Sequence, residues 1–342
     1  MAFKFLDDRP VRSLSSQEAG LGSTLLSKPE IMRIVFMGTP EAAVPSLQRL
    51  LNEGHEVVAV WTQPDKAAGR GDKIHAPAVK EFALQHNLAV AQPQKIRIAE
   101  SLTLFASYHA DLAVVVAYGR ILPAQYLRAP RLGCINVHFS LLPKYRGAAP
   151  VNWAIVNGEE RTGVTTMFVE EELDSGPILL QREVQIGSAE TAPELLQRLA
   201  NGGAELLGET INRLNEIAPA PQDDSKATFA PILTKTTGMI DWSSTASEIE
   251  RRVRGFQPWP NAYTYWRSQR LTLWKTAAHQ NAEHAATCGE VSAAAGDELI
   301  VNCGEKTALR VLELQLEGRR RLSARDFLNG THLKIGDRFG QD

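Results

Sequence analysis

The 342 residues carry 37 Lys and Arg against 39 Asp and Glu, a formal net charge of -2, so no global basic field exists and any nucleic-acid partner must be held by local patches. Hydrophobic residues at 44% and charged residues at 22% are ordinary for a globular chain with sizeable cores, and the length favours two domains. The 3 cysteines (Cys134, Cys288, Cys303) are widely spaced with no CxxC, which argues against a disulfide framework or structural zinc and fits a reducing cytoplasm, and no apolar run approaches the roughly 20 residues of a membrane span.

Residues 1–31 have no strong periodicity and no apolar h-region, and they carry Asp7, Asp8, Glu18 and Glu30. They match a signal or transit peptide poorly and are expected to be a disordered extension. RIVFM (33–37) is a short apolar run ending in Gly38. Thr39 and Pro40 then fit the start of a helix running through Leu51. HEVVAVWT (55–62) is a second strand, followed by a polar, Gly/Pro-rich loop from Gln63 to Pro77 and a helix in VKEFALQHN. DLAVVVAYG (111–119) is apolar almost throughout, as a strand covered on both faces must be. LGCINVHF (132–139) reads as a strand, AAPVNWAIVNG (148–158) as a helix and GVTTMFV (163–169) as a strand. A helical pattern follows from Thr191 to Leu214. Strands alternating with helices predict an α/β domain over residues 32–214, with a doubly wound, mostly parallel, Rossmann-like sheet. One glycine at Gly38 falls short of the three that a dinucleotide fingerprint needs.

The Pro/Asp/Ser-rich stretch APAPQDDSKATFAP (218–231) breaks the helix, and residues 215–230 read as a linker. From residue 231 to 335 the pattern changes to short alternating runs such as YTYWRSQRLTLWK and ALRVLELQ. These predict a small antiparallel β-barrel or sheet. From residue 231 onward 15 Lys and Arg face 13 Asp and Glu, a bias toward an anionic partner too small to decide anything.

Asn136 and His138 stand two apart in a predicted strand, so their side chains share one face. They lie at its C-terminal end, before the loop SLLPKYRGAAP (140–150), where an open α/β sheet places its site. Asp174, in the turn ELDSG, is the candidate third member. An amide, an imidazole and a carboxylate can carry acyl transfer to an amine without a covalent intermediate. The amide donates to the developing oxyanion, the imidazole handles protons, and the carboxylate orients the imidazole. Spacing alone leaves open a structural histidine at a strand end and an aspartate that merely forms a turn.

NVHFSLLPKYRGAAP and TGVTTMFVEEELDSGPILL closely resemble the formyltransferase family that uses 10-formyltetrahydrofolate. The resemblance implies Asn136, His138 and Asp174 as the catalytic set and Ser140, Leu141, Leu142 and Pro143 as a segment lining the folate site. It implies that Val116 and Tyr118 belong to the strand whose backbone meets the pterin, with no metal required. Phe139 stands where family members often carry a small residue. MRIVFMGTPEAAVPSL (32–47), QPDKAAGRGDKIHAPAVK (63–80), RVRGFQPWPNAYT (252–264) and LEGRRRLSARDFLNG (316–330) resemble the branch of that family acting on aminoacyl-tRNA. For this branch the resemblance implies initiator methionyl-tRNA as acceptor, an OB-like C-terminal domain, and a cytoplasmic, monomeric enzyme of translation initiation. Lys66, Arg70 and Lys73 are the expected tRNA contacts in the basic loop, with Arg319 and Arg320 as a second contact. Arg251, Arg252 and Arg254 form a further basic cluster, expected as a solvated face. Sugar-nucleotide formyltransferases share the chemistry and the triplet. A formate-releasing hydrolase and a catalytically dead tRNA-binding module complete the alternatives.

Overall fold

The computed structural model describes residues 31–68, 73–279 and 287–340; the expected N-terminal extension and Arg70 lie outside them. In chain order the first domain contributes β1 (Arg33–Gly38) and β2 (Glu56–Trp61). The short hairpin strands β3 (Lys66–Ala68) and β4 (Lys73–His75) follow, then β5 (Val90–Ala91), β6 (Leu112–Val116) and β7 (Cys134–His138). After the two-residue β8 (Arg146–Gly147) come β9 (Arg161–Phe168) and β10 (Ile178–Gln185). Seven of these form one sheet in the order β10-β9-β7-β6-β1-β2-β5. The pairs from β5 through β7 are parallel, while β9 and β10 run antiparallel at one edge.

The apolar strands of the centre are buried on both faces, which is why they read as continuous hydrophobic runs. Ile34, Phe36, Val114, Ile135 and Val137 face one core, covered by the helix Ala192–Asn212. Val35, Met37, Trp61, Val115 and Cys134 face the other. At the start of the long helix Glu194 Oε2 accepts from the N–H and the hydroxyl of Thr191 at 2.9 and 2.7 Å. Thr39 behaves differently from the expected helix cap: the turn after β1 is a 3-10 segment led by Pro40, and Thr39 Oγ1 donates to the carbonyl of Tyr118 at 3.1 Å. The hydroxyl ties β1 to the chain leaving β6 instead. The expected loop from Gln63 to Pro77 contains the hairpin β3–β4.

The second domain is an antiparallel sheet of β12 (Ala262–Trp266), β13 (Gln269–His279), β14 (Val291–Ala295), β15 (Glu298–Asn302) and β16 (Ala308–Leu316), with β17 (Leu322–Ser323) beside β16. Its strands surround Leu271, Leu273, Val301 and Val311, and the helices Ala246–Gly255 and Ala324–Gly330 close that core. The two domains meet where the helix Pro150–Val156 packs on Ala246–Gly255. Asn152 donates to the carbonyl of Gly255 at 2.7 Å and Trp153 meets Phe256 edge-on at 5.7 Å. A Cβ on Gly255 would stand 2.7 Å from Val156 Cγ2, so close approach of the helices needs glycine there.

The joining segment is not a free tether. A two-residue strand, β11 (Phe229–Ala230), pairs in parallel with β8, and Ala220 bridges to Ile178. Among the described residues no helix is long and apolar enough to cross a membrane.

Candidate active site

Alternation along β7 sorts its side chains. Cys134, Asn136 and His138 project from one face, and Ile135 and Val137 point into the core beneath the long helix. Phe139 joins that same core, where its ring lies 3.5 Å from where a Cβ on Gly203 would stand. The bulk at 139 is thus absorbed behind the sheet. Cys134 shares the functional face, but burial pushes its thiol up to about 12, and its Sγ–H points to the carbonyl of Tyr126 at 3.6 Å. It is a packed neutral thiol, not a nucleophile.

His138 is buried, and its Nε2 lies 2.9 Å from the carbonyl oxygen of Tyr145. A carbonyl can only accept, so Nε2 carries a proton. In the neutral imidazole Nδ1 is then a lone pair, and it faces Asp174 Oδ2 at 3.7 Å. That same Oδ2 accepts the backbone N–H of Gly147 at 2.8 Å. The carboxylate is therefore aimed by a rigid backbone donor, and a proton arriving at Nδ1 creates an ion pair in place. Asp174 holds this position with φ 51, the left-handed region that a non-glycine residue keeps only under local constraint. Gly147 has φ 121, and a Cβ there would meet the Ala230 carbonyl oxygen at 2.7 Å.

These groups edge a cleft of about 420 Å³, lined by Val115, Ala117–Leu122, Asn136, His138, Met167 and Glu170–Asp174 among others. That lies within the about 300–1,000 Å³ typical of small-ligand pockets. Its apolar walls with a few polar groups suit a flat heteroaromatic ring carrying a polar tail. Among the described residues the Asn136 amide makes no side-chain hydrogen bond, which leaves its N–H free toward the cleft. Ala117 (φ 47) and Gly119 (φ 79) turn the chain sharply out of β6. Gln63 pins that turn through Nε2, which donates to the carbonyls of Tyr118 (3.1 Å) and Gly119 (3.2 Å). The Tyr118 phenol is raised to about 12 by burial, so it stays neutral.

The cleft brings together Asn136, His138, Asp174 and Tyr118 of the expected residues. Val116 turns its side chain into the opposite core. Ser140, Leu141, Leu142 and Pro143, expected to line the folate site, are not among the cleft's lining residues. Ser140 Oγ is spent on the Lys144 carbonyl (2.6 Å), its own carbonyl accepts from Thr165 (2.7 Å), and Gln181 donates to Leu142 O (2.9 Å). Leu141 and Pro143 border a separate recess with Glu159 and Lys226. The segment braces the loop carrying Tyr145 from behind. Lys66 is exposed on the hairpin, Lys73 lies on its second strand, and Arg319 and Arg320 are exposed beyond β16. Arg251, Arg252 and Arg254 are not the solvated face expected. Arg251 donates to Val156 O, Arg252 to Thr237 O, and Arg254 to Glu190 O at 2.8 Å, so the cluster serves packing at and near the domain junction. Sequence reasoning missed Gln63, Tyr145, Gly147 and Gln222, because backbone carbonyls and amides as partners leave no spacing signature.

A doubly wound sheet with a small antiparallel second domain carries, in its cleft, an amide beside a His–Asp pair, an arrangement able to perform acyl transfer to an amine. The formyl transferase model matches residues 32–211 and the model of the formyl transferase C-terminal domain matches residues 232–332; the chain belongs to the formyl transferase family. The methionyl-tRNA formyltransferase of Alkaliphilus oremlandii is 46% identical over 312 residues, 91% of this chain and 100% of that protein. The protein of the same name from Caldanaerobacter subterraneus is 49% identical over 308 residues, 89% and 99% of the respective lengths. A solved sugar 3N-formyl transferase, WlaRD, crystallised in the presence of dTDP and 5-N-formyl-THF, shares the fold with TM-score 0.60 at 17% identity, covering 85% of this chain and 100% of that one.

Proposed function

We propose that this chain transfers the formyl group of 10-formyltetrahydrofolate to the α-amine of initiator methionyl-tRNA, for translation initiation. The observation that carries the reading is the open Asn136 amide beside a His138–Asp174 pair at 3.7 Å, in a chain 46% identical to a methionyl-tRNA formyltransferase across that protein's full length.

The bound folate supplies the formyl group. Asn136 donates to the oxygen of the formyl carbonyl as negative charge develops there; such a donor is worth about 10²–10³ in rate. The amine attacks in its neutral form, and with a free α-amine pKa of about 7.7–8.0 that form is available near neutrality. Once the new C–N bond forms, the nitrogen must lose a proton. His138 Nδ1, beside Asp174 at the edge of the cleft, takes it, and Asp174 stabilises the imidazolium that results. The departing folate nitrogen takes a proton back, so the pair returns to its starting state.

Val115, Ala117, Tyr118 and the backbone around Val116 hold the ring of the donor, with Ser140–Pro143 bracing the site. A second groove of about 510 Å³ shares Ala148 with the cleft and runs along Ile232, Leu233, Pro258 and Trp259. It gives the acceptor end of a tRNA a path between the domains, while Lys66, Arg70 and Lys73 of the basic segment 63–77 and Arg319 and Arg320 of the second domain grip phosphates. The enzyme is taken as a monomer of the reducing cytoplasm, where the unpaired thiols of Cys134, Cys288 and Cys303 persist.

The test supplies 10-formyltetrahydrofolate with methionyl-tRNA, free methionine or an amino-sugar nucleotide in turn. Preferential formylation of methionyl-tRNA is expected. Faster formylation of the sugar nucleotide would move the chain to the other branch of the family, and release of formate without an acceptor would make it a hydrolase.

A further inference from the structure

Gln222 lies in the segment joining the two domains, yet its amide is committed to the first domain's cleft. Nε2 donates to the backbone carbonyls of Asp174 and Gly176, each at 2.8 Å. Oε1 accepts from Nε and Nη2 of Arg146 at 3.1 and 2.9 Å. These four bonds fix the amide's orientation, because a flip would set its oxygen against two carbonyls and its NH2 against a guanidinium. Arg146 is itself buried and bonded to Asp224 at 2.7 Å, a second residue of the same segment.

The carbonyls held by Gln222 belong to the turn that aims Asp174 at His138. Asp174 keeps an uncommon left-handed φ there, and Gly176 packs so closely that a Cβ would stand 1.9 Å from the Phe168 carbonyl oxygen. The same segment reaches the other half of the pair. Thr228 Oγ1 accepts the N–H of Tyr145 at 2.9 Å, and the Tyr145 carbonyl receives His138. Ala230 O accepts the N–H of Ala148 at 2.9 Å, next to the Gly147 N–H that holds the carboxylate.

We propose that Gln222 is a positioning residue for Asp174, making the interdomain segment a working part of the catalytic site. The inference rests on the catalytic role given to Asp174 above. Displacing a reacting group by about 1 Å can cost on the order of 100-fold in rate.

Gln222→Glu keeps an oxygen for Arg146 but turns a second oxygen against the carbonyls of Asp174 and Gly176. Gln222→Met has similar length and makes none of the four bonds. In the full chain, kcat, KM for both substrates, folate affinity and thermal unfolding are measured for both variants, with Asp174→Asn alongside. The expected result is a fall in kcat of at least about tenfold in both, with KM and folate affinity within about twofold and cooperative unfolding retained. Full activity of Asp174→Asn would remove the catalytic reading itself. An inactive Asp174→Asn with wild-type kcat in the Gln222 variants would overturn the inference alone. Failure of both Gln222 variants to fold would make the residue a structural prop and overturn it equally.

Discussion

The Nδ1 atom of His138 and the Oδ2 atom of Asp174 stand 3.7 Å apart while the other imidazole nitrogen is committed to the Tyr145 carbonyl. Asp174 is therefore placed to stabilise charge on the imidazole. Asp174→Asn keeps an oxygen for the Gly147 N–H but supplies no charge to the imidazolium. Turnover should fall by about 10²–10⁴, the range for losing proton-transfer assistance, with the fold intact. Single-turnover formylation of methionyl-tRNA measures it, and a fall under fivefold (about 1 kcal/mol) would leave the carboxylate a turn former only.

Asn136→Ala tests the oxyanion donor. Its amide has no internal partner among the described residues, so truncation should leave stability nearly unchanged while kcat drops about 10²–10³. A rise in KM with kcat preserved would mean that the residue binds ground state and transition state alike.

Gly147→Ala should be costly for two reasons. Its φ of 121 is poor for any side chain, and the new Cβ would meet Ala230 O at 2.7 Å. A loss of about 1–3 kcal/mol in urea unfolding is expected, together with reduced turnover, since the same residue's N–H holds Asp174.

Alkaline pH should weaken the fold. Burial raises the thiols of Cys134 and Cys303 to about 12, and the phenols of Tyr118, Tyr126 and Tyr145 also to about 12. Unfolded thiols ionise near about 8.5 and phenols near about 10. Between those values and about 12 the native state binds more protons, so the stabilisation is complete below about pH 8.5 and is lost as pH rises. Urea midpoints at pH 7.5 and 10 should show the decline; an equal midpoint would contradict the burial of these groups.

Arg70→Ala should weaken productive use of tRNA while leaving folate affinity unchanged, because none of the described residues of the basic segment 63–77 lines the cleft. Titration of folate binding beside tRNA-dependent kinetics distinguishes the two. A drop in folate affinity would reassign the hairpin to the donor site.

Much of the site was legible because strand periodicity is local. Asn136 and His138 share a face by alternation alone, and the Gly in DSG permits a turn where Asp174 sits. The parts that were not legible depend on partners far away in sequence. Thr39 looks like a helix cap until its hydroxyl is seen on the Tyr118 carbonyl, 79 positions away. Arg251 and Arg254 look solvated until carbonyls of the other domain appear beside them. Composition marks residues 215–230 as irregular, yet such a segment can be as firmly bonded as a strand, as the pairing of β11 with β8 shows.

That pairing bears on how such enzymes can be recombined. A chimera joined at residue 231, where the second domain's pattern begins, would leave the native Thr228 and Ala230 behind the site and exchange only the second domain. One joined at residue 215 would import a foreign segment into the wall behind His138 and Asp174. Modules that look separable in sequence thus share a seam, and the safe graft point lies on its far side.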